Sequence, residues 1–367
     1  MADTPPPIIT PSIPAAATPR RFAPMQEAGL LAVVLVMGLV LTICGHFGRA
    51  EGQPNTFLSA ANLFDGIATP MSFYAIMAAG MTFVIVAGGI DISVASIMAL
   101  SALITAWALS QFSREASMFI VLPLSVAIPL LVGLVCGLIN GALVVGLRMH
   151  PFIVTLGTLS IFRGICNVLP FGGKTLPLAG AKLPNASITH LFGPQFEVGG
   201  QRIWPLIVML GVTALAYVYL RHTVAGRENY AVGGNEEAAR FSGINVGRVK
   251  LRVYALSGLL AGLAGLVSLG KFGTVSTNSA FGYELTVVAA AVVGGASLVG
   301  GRGTALGALL GTLILAMIEN AINVLHLNQE YTKIIVGLSI IIAVSLDRLS
   351  EVLRKWRAVQ AQRRVAA

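Results

Sequence analysis

Charge is what this chain has least of. Asp, Glu, Lys and Arg make up 11% of its 367 residues, where soluble domains carry about 25%. A water-facing shell cannot be built from so few charges, because burying apolar side chains still leaves a surface to cover. Cysteine is nearly missing as well. Cys44, Cys136 and Cys166 stand inside apolar runs without a CxxC pair, which excludes a paired-thiol metal or redox centre and leaves them as small buried hydrophobes. HExxH and GxSxG do not occur. Gly172-Gly173-Lys174-Thr175 imitates a phosphate loop, but Val168 stands where GxxxxGK[ST] needs its first glycine. No metal site, bound cofactor or hydrolytic chemistry is expected of the chain itself.

What is abundant is apolar sequence: 56% of residues are hydrophobic. About ten runs approach the roughly 20 residues that cross a bilayer as helix. They fall near 27–47, 64–87, 93–111, 118–146, 151–169, 203–220, 253–270, 284–299, 303–325 and 332–347. The runs are continuous, whereas a membrane barrel shows alternating segments of about ten residues. The expected fold is an all-α polytopic membrane protein. A Pro-rich tail covers residues 1–24, the membrane domain 25–348, and a basic tail 349–367.

The net charge of +9 does not point to nucleic acid, because the cations lie between apolar runs rather than on one amphipathic face. With the N-terminus inside, about sixteen Lys and Arg fall on cytoplasmic segments and about seven on external ones. Both termini are therefore expected in the cytoplasm, the 170–202 loop outside and the basic 221–252 loop inside. No secretory cleavage site follows the first run, and Arg20-Arg21 read as its inside anchor.

Polar groups inside spans turn away from lipid, which cannot hydrogen-bond them. Asn140, Asn167, Glu319, Asn320 and Asn323 are such groups and serve either a path for a polar solute or helix-to-helix glue. Arg163 is also in a span and would pair with Glu319 if their helices meet. Asp91 follows Gly88-Gly89 at a span end, placed to cap the next helix beside Ser93 or to gate. The halves echo weakly. Gly133, Gly137 and Gly141 form a small-residue ridge, as do Gly303, Gly307 and Gly311, and Gly294-Gly295 breaks a run as Gly88-Gly89 does.

The inner loop predicts a short rigid helix. Asn235 can cap it, Glu236 and Glu237 lie at its positive end, Arg240 lies near the other end, and Gly243 can close it left-handed. Glu237-Ala238-Ala239 followed by Gly243 is similar to the EAA-xxx-G motif on the coupling helix of ABC importer permeases. GGIDISVAS from Gly88, HPFIVTLGTLSIFRG from His150 and GYELTVVAAAVVGGASLVGGRG from Gly282 resemble the monosaccharide branch, carriers of ribose, arabinose, xylose and related sugars. The resemblance runs from about Asn62 to Asp347.

The resemblance implies a BtuC-like type II importer permease architecture in the bacterial inner membrane. It implies an ATPase dimer below, carrying ATP and Mg, a periplasmic sugar-binding protein above, and a second permease subunit, identical or not. Asn235, Glu236, Glu237, Ala238, Ala239, Arg240 and Gly243 would couple to the ATPase. A secondary transporter would want more carboxylates at mid-membrane and no ATPase grip. A branched-chain amino-acid permease is the nearest rival for substrate, and GGIDISVAS leans toward sugar.

The loop assignment predicts thiol accessibility. In a variant lacking native cysteines, Glu236→Cys should react with an impermeant reagent only after the membrane is opened. Labelling in intact spheroplasts would contradict the orientation.

Overall fold

The computed structural model describes residues 24–47, 57–112, 117–169, 176–177, 197–198, 201–325, 327–328, 330–339, 341–342 and 345. Apart from Pro24, the expected tails at 1–24 and 349–367 lie outside the described residues, as does most of the 170–202 loop, including Gly172–Thr175.

The described residues are helical almost throughout. In order come α1 (Pro24–Phe47), α2 (Thr69–Val86), α3 (Val94–Ser110), α4 (Met118–Gly146), α5 (Pro151–Val168) and α6 (Trp204–His222). Two short helices follow, α7 (Val224–Gly234) and α8 (Glu236–Phe241), then α9 (Val246–Phe272), α10 (Tyr283–Val293) and α11 (Ala305–Val324). Four two-residue strands form two antiparallel ribbons. β1 (Leu176–Pro177) pairs with β4 (Thr274–Val275), Leu176 opposite Val275, and β2 (Glu197–Val198) pairs with β3 (Gln201–Arg202).

Burial follows bilayer logic. α2 is apolar on every side and almost wholly enclosed, with Ile76, Met77 and Ala78 at zero exposure, as a central helix should be. α6, α9 and the α10–α11 hairpin pack around it, and α3 and α4 lie against α9. α1 is as apolar but turns Leu35, Val36 and Leu39 outward, a face that suits lipid and not water. A π-helical stretch, Asn62–Ala68, leads into α2. Pro70, in its first turn, has no N–H to give the Gly66 carbonyl, and the Thr69 N–H reaches back to Phe64 O instead.

Seven of the ten expected spans are helices long and apolar enough to cross a membrane. The 93–111 run is the slightly shorter α3, and 332–347 is described only in part, as helix over 330–339. The 284–299 run differs most. It forms only α10, 11 residues or about 16 Å, half a bilayer core. Glycines stop it at both ends, with Gly282 at φ +87° and Gly295 at φ +95°. Gly295 N–H bonds Val292 O and Ala296 N–H bonds Ala291 O, the paired closure of a left-handed helix stop. Gly88, at φ +79°, closes α2 identically, with Gly88 N–H to Ile85 O and Gly89 N–H to Val84 O. The two glycine pairs of the sequence thus build one repeated turn.

Both small-residue ridges are backbone contacts. A Cβ on Gly133 would strike Gly258 O of α9, and one on Gly137 would strike Tyr254 O. On the second ridge, Gly307 meets Gly294 O and Gly311 meets Ala290 O, locking α11 to α10, while Gly303 precedes the helix and lies against Val86. Gly157 of α5 has nothing within 4 Å. Gly137→Ala should therefore destabilise by about 1–3 kcal/mol. Gly157→Ala should be neutral or stabilising by up to about 1 kcal/mol, because alanine favours helix. Melting of the two variants in one detergent checks the contrast, and equal stabilities would contradict the packing.

Candidate functional site

Three irregular segments converge at one end of the bundle, here the near end: the 87–93 turn after α2, the α7–α8 arm, and the 294–304 loop before α11. Asp91 anchors the first. Its side chain is fully enclosed. Oδ1 accepts from Ser93 N at 3.1 Å, Ser93 Oγ at 2.6 Å and Asn140 Nδ2 at 3.3 Å, and Oδ2 accepts from Ser257 Oγ at 3.1 Å. The N-cap residue of α3 is Ser93, which makes no side-chain cap bond, and the Asp91 carboxylate takes the amide of that residue. It also ties α4 and α9 to that turn. The neighbouring Ile90 carbonyl accepts from Tyr254 OH and Thr155 Oγ1, so α9 and α5 hold the same turn.

The arm starts where Thr223 caps α7 by accepting from Gly226 N at 3.0 Å. Arg252 of α9 grips it, bonding Glu228 at 3.0 Å and Ala225 O at 3.1 Å. Asn229 Nδ2 donates to Phe83 O of α2 at 3.0 Å, and Tyr230 OH donates to Gly303 O at 2.7 Å. Burial pushes the Tyr230 phenol up to about 12, so it stays a donor throughout the physiological range. At the arm's end Gly233 rests on Val86 O and on Gly301, whose own N–H bonds Val86 O at 2.9 Å. Only glycine fits there, because any Cβ would enter the α2 backbone.

α8 has the local form its sequence predicts. Asn235 Oδ1 accepts from Ala238 N at 2.9 Å, Glu236 and Glu237 occupy the first turn, and Gly243 closes the helix at φ +83°. Ala239 alone turns inward, into a small cluster with Val232, Val246 and Val249. Glu236 bridges Arg240 and Lys250, exposed pairs that orient more than they stabilise. Glu237, Ala238 and Arg240 face outward, and so does Phe241, 89% exposed. Sequence reasoning passed over Phe241; the signal was an aromatic residue in an otherwise polar helix.

The remaining candidates do not form one site. Asn140 belongs to the Asp91 knot, where its amide also donates to Ser93 Oγ at 2.7 Å. Asn167 is exposed on α5 and donates to the Arg163 carbonyl of its own helix. Asn320 is buried and exchanges two hydrogen bonds with Asn62, at 2.6 and 3.1 Å, above Gly66 of the π-helical stretch. Glu319 is part-buried, within electrostatic reach of Tyr74 and Tyr283, whose ring centroids lie 4.6 Å apart with the planes tilted by 58°. Asn323 is exposed on α11. Arg163 does not meet Glu319. It donates to the carbonyls of Thr277 and Ser279 at 3.0 and 2.8 Å and lies over the Phe281 ring. Among the described residues, no three His, Cys, Asp or Glu side chains gather as metal ligands.

Residues 63–344 match the family described as branched-chain amino acid transport system / permease component. The chain is 36% identical to the ribose import permease protein of Haemophilus influenzae, over 88% of this chain and 93% of that one. It is 34% identical to the fructose import permease protein of Rhizobium meliloti, over 90% and 87%. The galactose/methyl galactoside import permease protein of Escherichia coli is also 34% identical, over 90% and 96%. No solved structure matches.

The Asp91 knot sets an order of stabilities. Asp91→Leu strands three side-chain donors and one amide and should cost about 3–5 kcal/mol. Ser257→Ala removes a single partner, worth about 1 kcal/mol, and Asp91→Asn should fall between them. Melting temperatures of the purified variants give the order, and a Leu variant as stable as Ser257→Ala would contradict it.

Proposed function

We propose that this chain, which belongs to the permease-component family of branched-chain amino acid transport systems, is the membrane-spanning subunit of an ATP-driven importer that moves a monosaccharide across the bacterial inner membrane. The observation that carries the reading is the near-end arm. α8 is capped at both ends, presents Glu237, Ala238, Arg240 and Phe241 outward, and is bound through Gly233 to the turns that end α2 and precede α11. A partner that moves this arm moves the transmembrane core. Relatives named for ribose, fructose and galactose import support sugar over an amino acid as the cargo.

In this reading the near end and both termini are cytoplasmic. A pair of ATPase subunits, holding ATP and Mg, docks on Asn235–Gly243, and hydrolysis takes place there and not on this chain. A second permease subunit completes the path, and a periplasmic binding protein delivers sugar at the far end. Gly88, Gly89 and Asp91 form the gate-side turn. Glu319, with Tyr74 and Tyr283 beside it, and Asn320, paired with Asn62, supply hydrogen bonds to hydroxyl groups. Asn140 supports the path from the near end. Asn167 and Asn323, exposed on a single protomer, reach the path from the face shared with the second subunit.

Proteoliposomes holding this chain with its ATPase and binding protein should take up a pentose or hexose when ATP is supplied. Uptake of a branched-chain amino acid instead would overturn the sugar assignment. Gly243→Asp places a side chain at a left-handed position and a negative charge at a helix C-terminus. It should cut ATP-driven uptake by about tenfold or more, a barrier rise of about 1.4 kcal/mol, at normal membrane abundance. In the same assay Glu319→Gln should keep most uptake and Glu319→Leu lose it. Unchanged uptake in both would remove Glu319 from the path.

A further inference from the structure

Arg163 stands about 18 Å along α5 from the near end, a cation inside a span. Neither the near-end arm nor the proposed sugar path includes it. Its partners are backbone carbonyls of the 273–282 turn, the irregular segment that joins α9 to the half-length α10 at the far end. Gly273, Ala280 and Gly282 of this turn all have left-handed backbone, with φ of +65°, +58° and +87°. For alanine such a conformation is strained, and it persists only where the surroundings hold it. Thr277 O and Ser279 O, which no helix or strand satisfies, both accept from Nη1 of Arg163 at 3.0 and 2.8 Å. Phe281 lies 5.8 Å from the guanidinium carbon. Within the turn, Ser276 N donates to Ser279 Oγ and Ser279 N to Ser276 O.

This turn has a mechanical neighbour on each side. At its start, Thr274 and Val275 pair with Pro177 and Leu176 of the far-end loop. Immediately after it comes α10, backbone-locked to α11 through Gly294, Gly307 and Gly311, so the hairpin moves as one body. The hairpin's near end is the 294–304 loop, where Gly300 and Gly301 press on Gly233 and Gly234 and Gly303 O accepts from Tyr230. One stiff element thus runs from the far-end ribbon to the base of α8, and Arg163 fixes its far end to α5.

We propose that Arg163 is a positioning residue for transmembrane coupling: by holding Thr277 and Ser279 it makes the α10–α11 hairpin follow the far-end ribbon, so that docking at the β1–β4 side reaches the α7–α8 arm. The inference rests on the importer reading above. Its specific content is that Arg163 governs how a far-end partner is sensed, and neither assembly nor ATP hydrolysis by itself.

The test reconstitutes the full importer in nanodiscs and measures ATP hydrolysis with and without sugar-loaded binding protein. Arg163→Gln, which loses the charge and the two-carbonyl grip, should assemble and hydrolyse ATP at the unstimulated rate of the parent. Its stimulation by binding protein should fall by about fivefold or more, the scale of a single allosteric coupling. Arg163→Lys keeps the charge and reaches one carbonyl at a time; it should accumulate normally and show intermediate stimulation, which keeps the proposal testable if the Gln variant fails to insert. Parent-like stimulation in the Lys and Gln variants overturns the proposal. Loss of unstimulated hydrolysis and melting temperature together, in the Lys variant as well, overturns it in favour of a purely structural arginine. If the parent chain supports no ATP hydrolysis with its partners, the importer reading falls first, and that result is recognisable before any variant is compared.

Discussion

A single buried carboxylate sets the constraint on which the near end depends. Asp91 sits with zero exposure among an amide, two hydroxyls and a carboxamide that all donate to it. A carboxyl group there is tolerable only when its oxygens are hydrogen-bonded, since a buried polar group left unsatisfied costs about 1–3 kcal/mol, and more if charged. The donors come from α3, α4 and α9, so meeting the carboxylate's requirement fixes the relative position of three helices around the end of α2. The same turn offers Ile90 O to Tyr254 and Thr155. Apolar packing in a bilayer is permissive about rotation and register, because lipid solvates a misplaced leucine as well as a neighbouring helix does. A filled carboxylate is not permissive in this way.

Around that knot the fold brings backbones together more closely than side chains would allow. α4 and α9 touch at Gly133, Gly137, Gly258 and Gly262, and α10 and α11 touch at Gly294, Gly307 and Gly311. Each removed Cβ shortens the interhelical distance and replaces the missing hydrophobic drive with dispersion contact. The closures at Gly88, Gly243 and Gly295 share one hydrogen-bond pattern, and all three lie at the near end. Rigid helices therefore terminate on compact left-handed turns where the arm attaches. The arm meets the end of α2 backbone to backbone at Gly233, with no flexible side chain between.

Irregular backbone at membrane depth makes a second demand. Where α10 is cut to half length, carbonyls that a continuous helix would have satisfied must find other donors, because the bilayer offers none. Arg163 supplies two such bonds from a neighbouring helix. Asn320 and Asn62 serve each other across the π-helical start of α2. Polar residues that look alike in sequence, each alone in an apolar run, divide in space between satisfying backbone, satisfying one another and facing outward, as Asn167 and Asn323 do.

The sequence alone determined what local chemistry determines. Long apolar runs made membrane helices, and Met118–Gly146 begins and ends where its run does. Asn235, the two glutamates and Gly243 specified α8, because caps and left-handed stops act over three or four residues. Gly88-Gly89 and Gly294-Gly295 marked two stops for the same reason. Tertiary structure alone decided the rest. It decided that the 284–299 run stops after 11 helical residues, since hydropathy cannot distinguish a span from a buried half-helix. It sent Arg163 to Thr277 and Ser279 instead of Glu319, and joined Asn140 to Asp91 and Asn62 to Asn320, partners 114, 116, 49 and 258 residues apart. Such pairings leave no periodic trace. Any buried donor needs some acceptor, but which acceptor it meets is fixed only when helices distant in the chain pack side by side.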